Sequence, residues 1–238
     1  MIAINHFTYT DFLSKFGIGG AHPGGIKLTK EIIRTKKIDN NSHILDVGCG
    51  TGQTDAYLAS EYGAIVTGID RHPIMVEKAK KRMKKERLPV EILQCSIENV
   101  PLPNNKFDFV LSESVLSFVD KPTALCEIFR LLKDGGQLIA IEFTINKPLE
   151  TAIENEIKQF YAFESLPMEQ DWIRYFKQAG FTNIQIEKKE PLEVNASTPE
   201  FDYSENVEPE LYDMMEHHHE MILKYMNIWD YRVFTCSK

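Results

Sequence analysis

Three glycines at alternate positions mark the turn Asp46-Val47-Gly48-Cys49-Gly50-Thr51-Gly52, which follows an apolar run and opens a helical pattern. Glycines at this spacing let the backbone turn sharply and let a ligand approach the N–H groups at a helix start. The next apolar run ends in Gly68-Ile69-Asp70. An acid about 20 positions beyond such a turn is placed to accept hydrogen bonds from ribose hydroxyls. The two features together point to an adenosine-containing cofactor, although dinucleotide-binding enzymes use a related turn.

Candidates for proton chemistry are fewer. His22 sits in Gly17-Ile18-Gly19-Gly20-Ala21-His22-Pro23-Gly24-Gly25. A loop with glycine on both sides can close over a ligand, and histidine titrates near neutrality, so His22 is a site residue or part of a simple lid. His6 is a weaker candidate. Glu113, in Ser112-Glu113-Ser114-Val115-Leu116, is a base, an anchor for a cofactor amino group, or a helix-capping carboxylate. Three consecutive histidines, His217, His218 and His219, point about 100° apart on a helix and cannot converge on one metal as an i, i+4 pair can. With Glu216 and Glu220 they read as a solvated or partly buried helical face; the alternative is that one of the three reaches a substrate pocket. No metal site is predicted. Cys49, Cys95, Cys126 and Cys236 are scattered beside apolar segments, where free thiols pack as small hydrophobes in a reducing cytoplasm.

The elements that must carry these residues alternate. Apolar runs at 44–47, 64–69, 90–95, 107–111 and 137–143 lack polar alternation, as strands buried on both faces do. Helical patterns lie between them at 55–62, 73–87 and 123–132, with Pro73 in a first turn and Asp134-Gly135-Gly136 as a stop. This alternation predicts a parallel, doubly wound α/β sheet. Residues 1–42 read as helices around the glycine-rich interruption. Helices follow at 150–163 and 169–179, then a strand at 182–188, a helix at 209–225 and a last strand at 231–236. The connection between those strands is too long for a hairpin, so it is a helical insertion. The aromatics Phe160, Tyr161, Phe163, Trp172, Tyr175 and Phe176 suit helix packing on the sheet. The basic stretch 78–87 spreads its charges over an outer face, with Ile74, Ala79 and Met83 turned inward.

A formal net charge of −8 argues against a broad electrostatic grip on nucleic acid, which needs a basic surface. The start, Met1-Ile2-Ala3-Ile4-Asn5-His6, has no positive region leading into an apolar run, so no signal peptide is expected. No apolar stretch reaches the roughly 20 residues of a membrane span. A cytoplasmic protein of one domain fits the length.

The segment Ile44-Leu45-Asp46-Val47-Gly48-Cys49-Gly50-Thr51-Gly52 resembles the first motif of the class I S-adenosylmethionine-dependent methyltransferases, and Asp70 matches their ribose-binding acid. Glu98-Asn99-Val100-Pro101-Leu102-Pro103-Asn104-Asn105-Lys106-Phe107-Asp108 is similar to their loop and fourth strand. Glu127-Ile128-Phe129-Arg130-Leu131-Leu132-Lys133-Asp134-Gly135-Gly136 is similar to the helix and turn before their fifth strand, with Asp134 where proline is usual. The likeness covers residues 40–145 and is specific in combination.

The resemblance implies a Rossmann-like, mostly parallel seven-stranded sheet with an N-terminal helical lid and a helical insertion before the last strand. It implies S-adenosylmethionine as cofactor. Gly48, Cys49 and Gly50 would lie against its methionine part, and Asp46 would fix the turn or meet the amino group. Asp70 would take the ribose, with Arg71, Ser96 and Ile97 around the adenine and Glu113 nearby. Ser96 stands where the family commonly has an acid. Residues 1–42 would form the lid of a single methyltransferase domain, 43–145 the cofactor core and 146–238 the substrate side. The segment after the fourth strand lacks the Asn/Asp-Pro-Pro-aromatic run of amide and base-amine methylators, so those acceptors are less expected. With no basic face or recognition domain evident, the expected acceptor is a small molecule. It is expected to be apolar or aromatic, because in related methyltransferases the region of Phe160 to Phe176 also helps wall off the acceptor. The competing readings are an RNA or protein methyltransferase, a nucleotide-dependent oxidoreductase, and a cofactor-binding module without catalysis.

Overall fold

The apolar runs pair into one sheet, and the amphipathic stretches pack on both of its faces; the computed structural model describes residues 7–187 and 199–238. The described residues begin with α1 (Tyr9–Phe16), a two-residue strand β1 (Ile18–Gly19) and α2 (Gly25–Ile33). The cofactor-type core follows: β2 (His43–Val47), α3 (Gln53–Tyr62), β3 (Ile65–Asp70), α4 (Pro73–Glu86), β4 (Glu91–Gln94), β5 (Phe107–Glu113), α5 (Lys121–Leu131) and β6 (Leu132–Ile145). The last part comprises α6 (Thr151–Tyr161), α7 (Glu169–Ala179), β7 (Thr182–Glu187), a second two-residue strand β8 (Glu200–Phe201), α8 (Pro209–Tyr225) and β9 (Trp229–Ser237).

The seven-stranded sheet has the order β4-β3-β2-β5-β6-β9-β7. The pairs from β4 to β6 are parallel, and β9 runs antiparallel between β6 and β7. Adjacent strand residues serve opposite faces. Leu45, Val47 and Val110 pack with Leu125 and Ile128 of α5 and with Trp172 and Phe176 of α7. Ile44, Val66 and Leu111 pack with Ile32 and Ile33 of α2 and Leu58 of α3. Both faces are covered, which is why these strands carry unbroken apolar runs. Leu28 of α2 joins the second cluster.

Some boundaries differ from the predicted ones. Helix α5 starts two residues earlier than expected, where Asp120 caps it by accepting from the Thr123 N–H at 3.1 Å, and ends at Leu131. Gly135, at φ +77°, then lies inside β6, beside a register shift opposite Phe107 and Phe109, instead of stopping the helix. Ser112 and Glu113 belong to β5 rather than to the loop after it. Lys78 leaves the outer face predicted for 78–87: it is buried, with its ammonium donating to the Asp202 carbonyl oxygen. Lys188, the expected end of β7, and His6 lie outside the described residues. No helix among the described residues is long and apolar enough to cross a membrane.

Strand order reverses between β2 and β5, because the chain leaves β2 toward β3 and β4 and returns on the other side. Ligands of open α/β sheets bind at the carboxyl ends of the strands at such a switch point. The Gly48 turn, Asp70, Ser96 and Glu113 all follow or close strands at that edge.

Candidate active site

The predicted residues converge. Asp46, Gly48, Cys49, Gly50, Asp70, Arg71, Ser96, Ile97, Glu113 and His22 all line one cavity of about 800 Å³. That volume is near the upper end for a small-ligand site and leaves room for two occupants.

At one end lies the glycine turn. Gly48 and Gly50 have φ of +69° and +54°, conformations that only glycine adopts without strain. A Cβ on Gly48 would stand 2.4 Å from Val115 Cγ2, whereas one on Gly50 meets nothing nearer than 4.0 Å. The space over Gly50 is therefore open to a ligand. Both carboxylate oxygens of Asp70 brace this end: Gly50 N–H donates to Oδ2 at 3.0 Å and His72 N–H to Oδ1 at 2.7 Å. Each oxygen keeps a further lone pair for a ligand hydroxyl. Burial raises the pKa of Asp70, and those two N–H groups oppose the rise. Ser96 is committed locally, its hydroxyl donating to Glu98 Oε2 at 2.8 Å. Arg71 is exposed and donates to the Phe118 carbonyl at 3.4 Å.

Behind the turn sit two carboxylates with little compensation. Burial, then repulsion from Asp55, Glu113 and Asp70, holds Asp46 well above the usual carboxylate range. Asp55 is pushed up to about 8 by burial, opposed by the Cys49 thiol, and its oxygens reach no nitrogen or oxygen partner. Gly68 makes room for it, since a Cβ there would stand 2.8 Å from a carboxylate oxygen. Burial also drives the Cys49 thiol well up, and the side chain packs in a cluster with Ala56, Val76 and Ala79.

Glu113 and His22 form one network. Glu113 accepts from Thr29 Oγ1 at 2.5 Å and Thr54 Oγ1 at 2.9 Å, and His22 Nε2 lies 3.6 Å from its Oε1. The His22 ring also contacts Thr29 Oγ1 at 3.3 Å. These threonines, on α2 and α3, carried no sequence signal because one hydroxyl in a helical pattern is unremarkable. The covering segment was only half legible. Ile18 pairs with Phe201 and Gly19 with Glu200, and Glu200 is held by Gln53 Nε2 and Arg82 Nη2, each at 2.8 Å. Helix α1 is tied down by His72 Nε2 on Asp11 Oδ1 at 3.2 Å.

The other end is aromatic. Tyr9 meets Tyr161 edge-on at 4.9 Å, Tyr161 stacks on Phe163 at 5.1 Å, and Phe143 abuts Trp229 at 4.2 Å. Of the six aromatics assigned to helix packing, Trp172 and Phe176 are buried in the core as expected, while Tyr161 and Phe163 line the cavity. One of the three histidines does reach it: His218 lines the cavity, with Nδ1 3.0 Å from Tyr161 Oη, whereas His217 and His219 are exposed. Burial and then His219 bring the pKa of His218 down to about 4, and burial raises those of Tyr9 and Tyr161. Tyr9 and Trp229 lie 220 positions apart, so no local pattern shows them on one wall.

The methyltransferase-domain family matches residues 45–140. The methyltransferase YodH of Bacillus subtilis (strain 168) is 37% identical over 231 residues, covering 97% of this chain and 99% of that relative. The chain belongs to the class I S-adenosylmethionine-dependent methyltransferases. The methyltransferase is also 29% identical over 175 residues to phosphoethanolamine N-methyltransferase 1 of Arabidopsis thaliana, covering 73% of its own length but only 35% of that larger relative. Its fold matches Haemonchus contortus phosphoethanolamine N-methyltransferase 2, solved in complex with S-adenosyl-L-methionine, at a TM-score of 0.79 and 22% identity. That match covers 96% of the methyltransferase and 57% of the Haemonchus chain. Family membership sets aside the oxidoreductase reading.

Proposed function

We propose that the cavity takes S-adenosylmethionine at the glycine turn and a small-molecule methyl acceptor at the aromatic end. The observation that carries this reading is a single cavity in which the open space over Gly50, the acids Asp46, Asp70 and Glu113, and the aromatic wall are continuous. Acidic groups in a poorly solvated site favour a cationic ligand, and this cofactor carries both an ammonium and a sulfonium. When bound, it supplies a methyl group made electrophilic by the sulfonium.

The residues divide the remaining work. The Gly48-Cys49-Gly50 backbone would lie against the methionine part, with Asp46 and Glu113 facing the ammonium. Glu113 suits an anchor better than a base, because both of its oxygens already accept threonine hydroxyls. His22 would hold Glu113 in place. Asp70 would receive the ribose hydroxyls, while Arg71, Ser96 and Ile97 flank the adenine. The α1, β1 and β8 cover would exclude water, and the aromatic wall would orient the acceptor. The division into lid, cofactor core and substrate side within one domain is part of the proposal. So is a cytoplasmic setting, supported by four unpaired cysteines.

Calorimetry with S-adenosylmethionine, S-adenosylhomocysteine and NAD tests the cofactor assignment. The first two are expected to bind and NAD not; binding of NAD alone would overturn it. Transfer of label from methyl-labelled cofactor to RNA or protein, with none to small molecules, would replace the acceptor class.

A further inference from the structure

We propose that the acceptor end is built for an uncharged, largely apolar molecule bearing a protic group, a phenol or enol, whose hydroxyl meets the Tyr161–His218 pair, and that phosphomonoesters are rejected. This rests on the methyl-transfer reading above and narrows its acceptor.

Charge comes first. Among the described residues lining the cavity, Arg71 alone carries a permanent positive charge, whereas Asp46, Asp70, Glu113 and Asp230 supply carboxyl groups. Arg71 is exposed and donates to a backbone carbonyl. A phosphate dianion removed from water needs charge-assisted partners, usually paired Arg or Lys donors, and loses heavily without them. The relatives that act on phosphoethanolamine by name therefore do not define this pocket. The mouth agrees: Met215, Ile222 and Met226 line the cavity yet are 38%, 42% and 63% exposed, an apolar rim for an apolar guest.

A polar feature of the aromatic end is the contact between Tyr161 Oη and His218 Nδ1 at 3.0 Å. In either tautomer the pair retains one donor and one acceptor after bonding to each other. The titratable groups packed around His218 are Tyr9 from α1, with ring centroids 5.2 Å apart, Tyr161 from α6, and His219 on its own helix, while Asp230 lines the same cavity from β9. Burial keeps the imidazole neutral at physiological pH, so it is able to accept a proton. In the transfer, a lone pair of the acceptor hydroxyl forms the O–CH3 bond as the methyl–sulfur bond breaks. The sulfur keeps that electron pair, and the hydroxyl proton passes to His218 Nε2, which is free in the tautomer whose Nδ1–H donates to Tyr161 Oη, and then to solvent. The proton becomes strongly acidic as the O–CH3 bond forms, so a weakly basic imidazole suffices.

The test has a binding arm and a kinetic arm. In the first, p-cresol, 4-phenylphenol and 1-naphthol are compared with phosphoethanolamine as quenchers of tryptophan fluorescence in cofactor-free protein, with Trp229→Phe locating the signal on the aromatic wall. Saturable quenching by phenols that is lost in Trp229→Phe, with none by phosphoethanolamine, is expected. Quenching by phosphoethanolamine, or none by any phenol, overturns the proposal. In the second arm, His218→Phe is expected to lower kcat at least about tenfold with KM within about threefold, and His218→Asn to recover part of the loss. Tyr161→Phe, which keeps the ring, carries the same test at a smaller loss if His218→Phe does not fold. Unchanged kcat in both variants overturns the role of the pair. Failure of the protein to bind S-adenosylhomocysteine would instead sink the methyltransferase reading itself, whereas methylation of phosphoethanolamine would sink only this narrowing.

Discussion

Asp70→Ala tests the coupling between the glycine turn and the cofactor most directly. The substitution removes two acceptors at once, for Gly50 N–H at 3.0 Å and His72 N–H at 2.7 Å. Hydrogen bonds to a charged group contribute about 1.5–3 kcal/mol each. Both donors here are half-buried and regain some water, so a combined loss of about 2–4 kcal/mol is expected. For a chain of this size that lowers Tm by roughly 5–15 °C. Loss of the ribose contacts adds about 1–3 kcal/mol to binding, or roughly 5- to 150-fold in Kd. Thermal unfolding and calorimetry with S-adenosylhomocysteine measure the two effects separately. Asp70→Asn, which keeps one acceptor oxygen, should fall between wild type and Asp70→Ala in both. A lowered Tm with an unchanged Kd would make Asp70 a brace for the turn and nothing more. No change in either would refute the reasoning entirely.

Other substitutions probe separate parts of the molecule. Gly48→Ala puts a Cβ at φ +69° and 2.4 Å from Val115, so about 1–2 kcal/mol of backbone strain and about 1–3 kcal/mol of overpacking are expected. Adding Val115→Ala should restore only the overpacking part of Tm; full restoration would show the left-handed backbone to be unimportant. Glu142 is buried and pushed up to about 8, chiefly by burial and against the hydrogen bonds from Ser112 and Leu116. The folded state then holds a proton that the unfolded chain releases near pH 4, so stability from this group is full below that pH and is lost toward pH 8. Glu142→Gln should therefore flatten the fall of Tm between pH 4 and 8, and a variant whose Tm parallels wild type at every pH would contradict this. Glu200→Ala cuts the Arg82 and Gln53 contacts that hold β8 over the cavity. Because that ion pair is exposed, stability should change by less than about 1 kcal/mol. Release of S-adenosylhomocysteine, followed by stopped flow, should quicken several-fold, and an unaltered rate would remove β8 from the cover.

The half of the cavity proposed for the cofactor was legible because its determinants are local. Asp46 to Gly52 must turn within a few residues between a buried strand and a helix, and backbone sterics there admit glycine at Gly48 and Gly50 and little else. Asp70 was found by the same route, since the unit linking the turn to the end of the next strand has a nearly fixed length. Unbroken apolar runs announced a sheet covered on both faces. Boundaries were less secure: the Gly135-Gly136 pair read as a helix stop, but pairing of the flanking Leu132 and Gln137 with Phe107 and Phe109 drew it into β6. The charged residue Lys78 looked solvated until the Asp202 carbonyl, from a segment 124 positions away, was brought over it.

What the sequence determined alone was thus the layered α/β core and the residues at the strand ends, set by short-range sterics and burial periodicity, while the methyltransferase family entered through the resemblance of its motifs. Tertiary structure decided the rest. Only folding places Tyr9, Tyr161, His218 and Trp229 on one wall, threads Glu200 across Arg82, and strips water from His218 and Asp55. Those properties depend on which distant groups share a poorly solvated space, and neither burial nor charge coupling between such groups leaves a periodic trace along the chain.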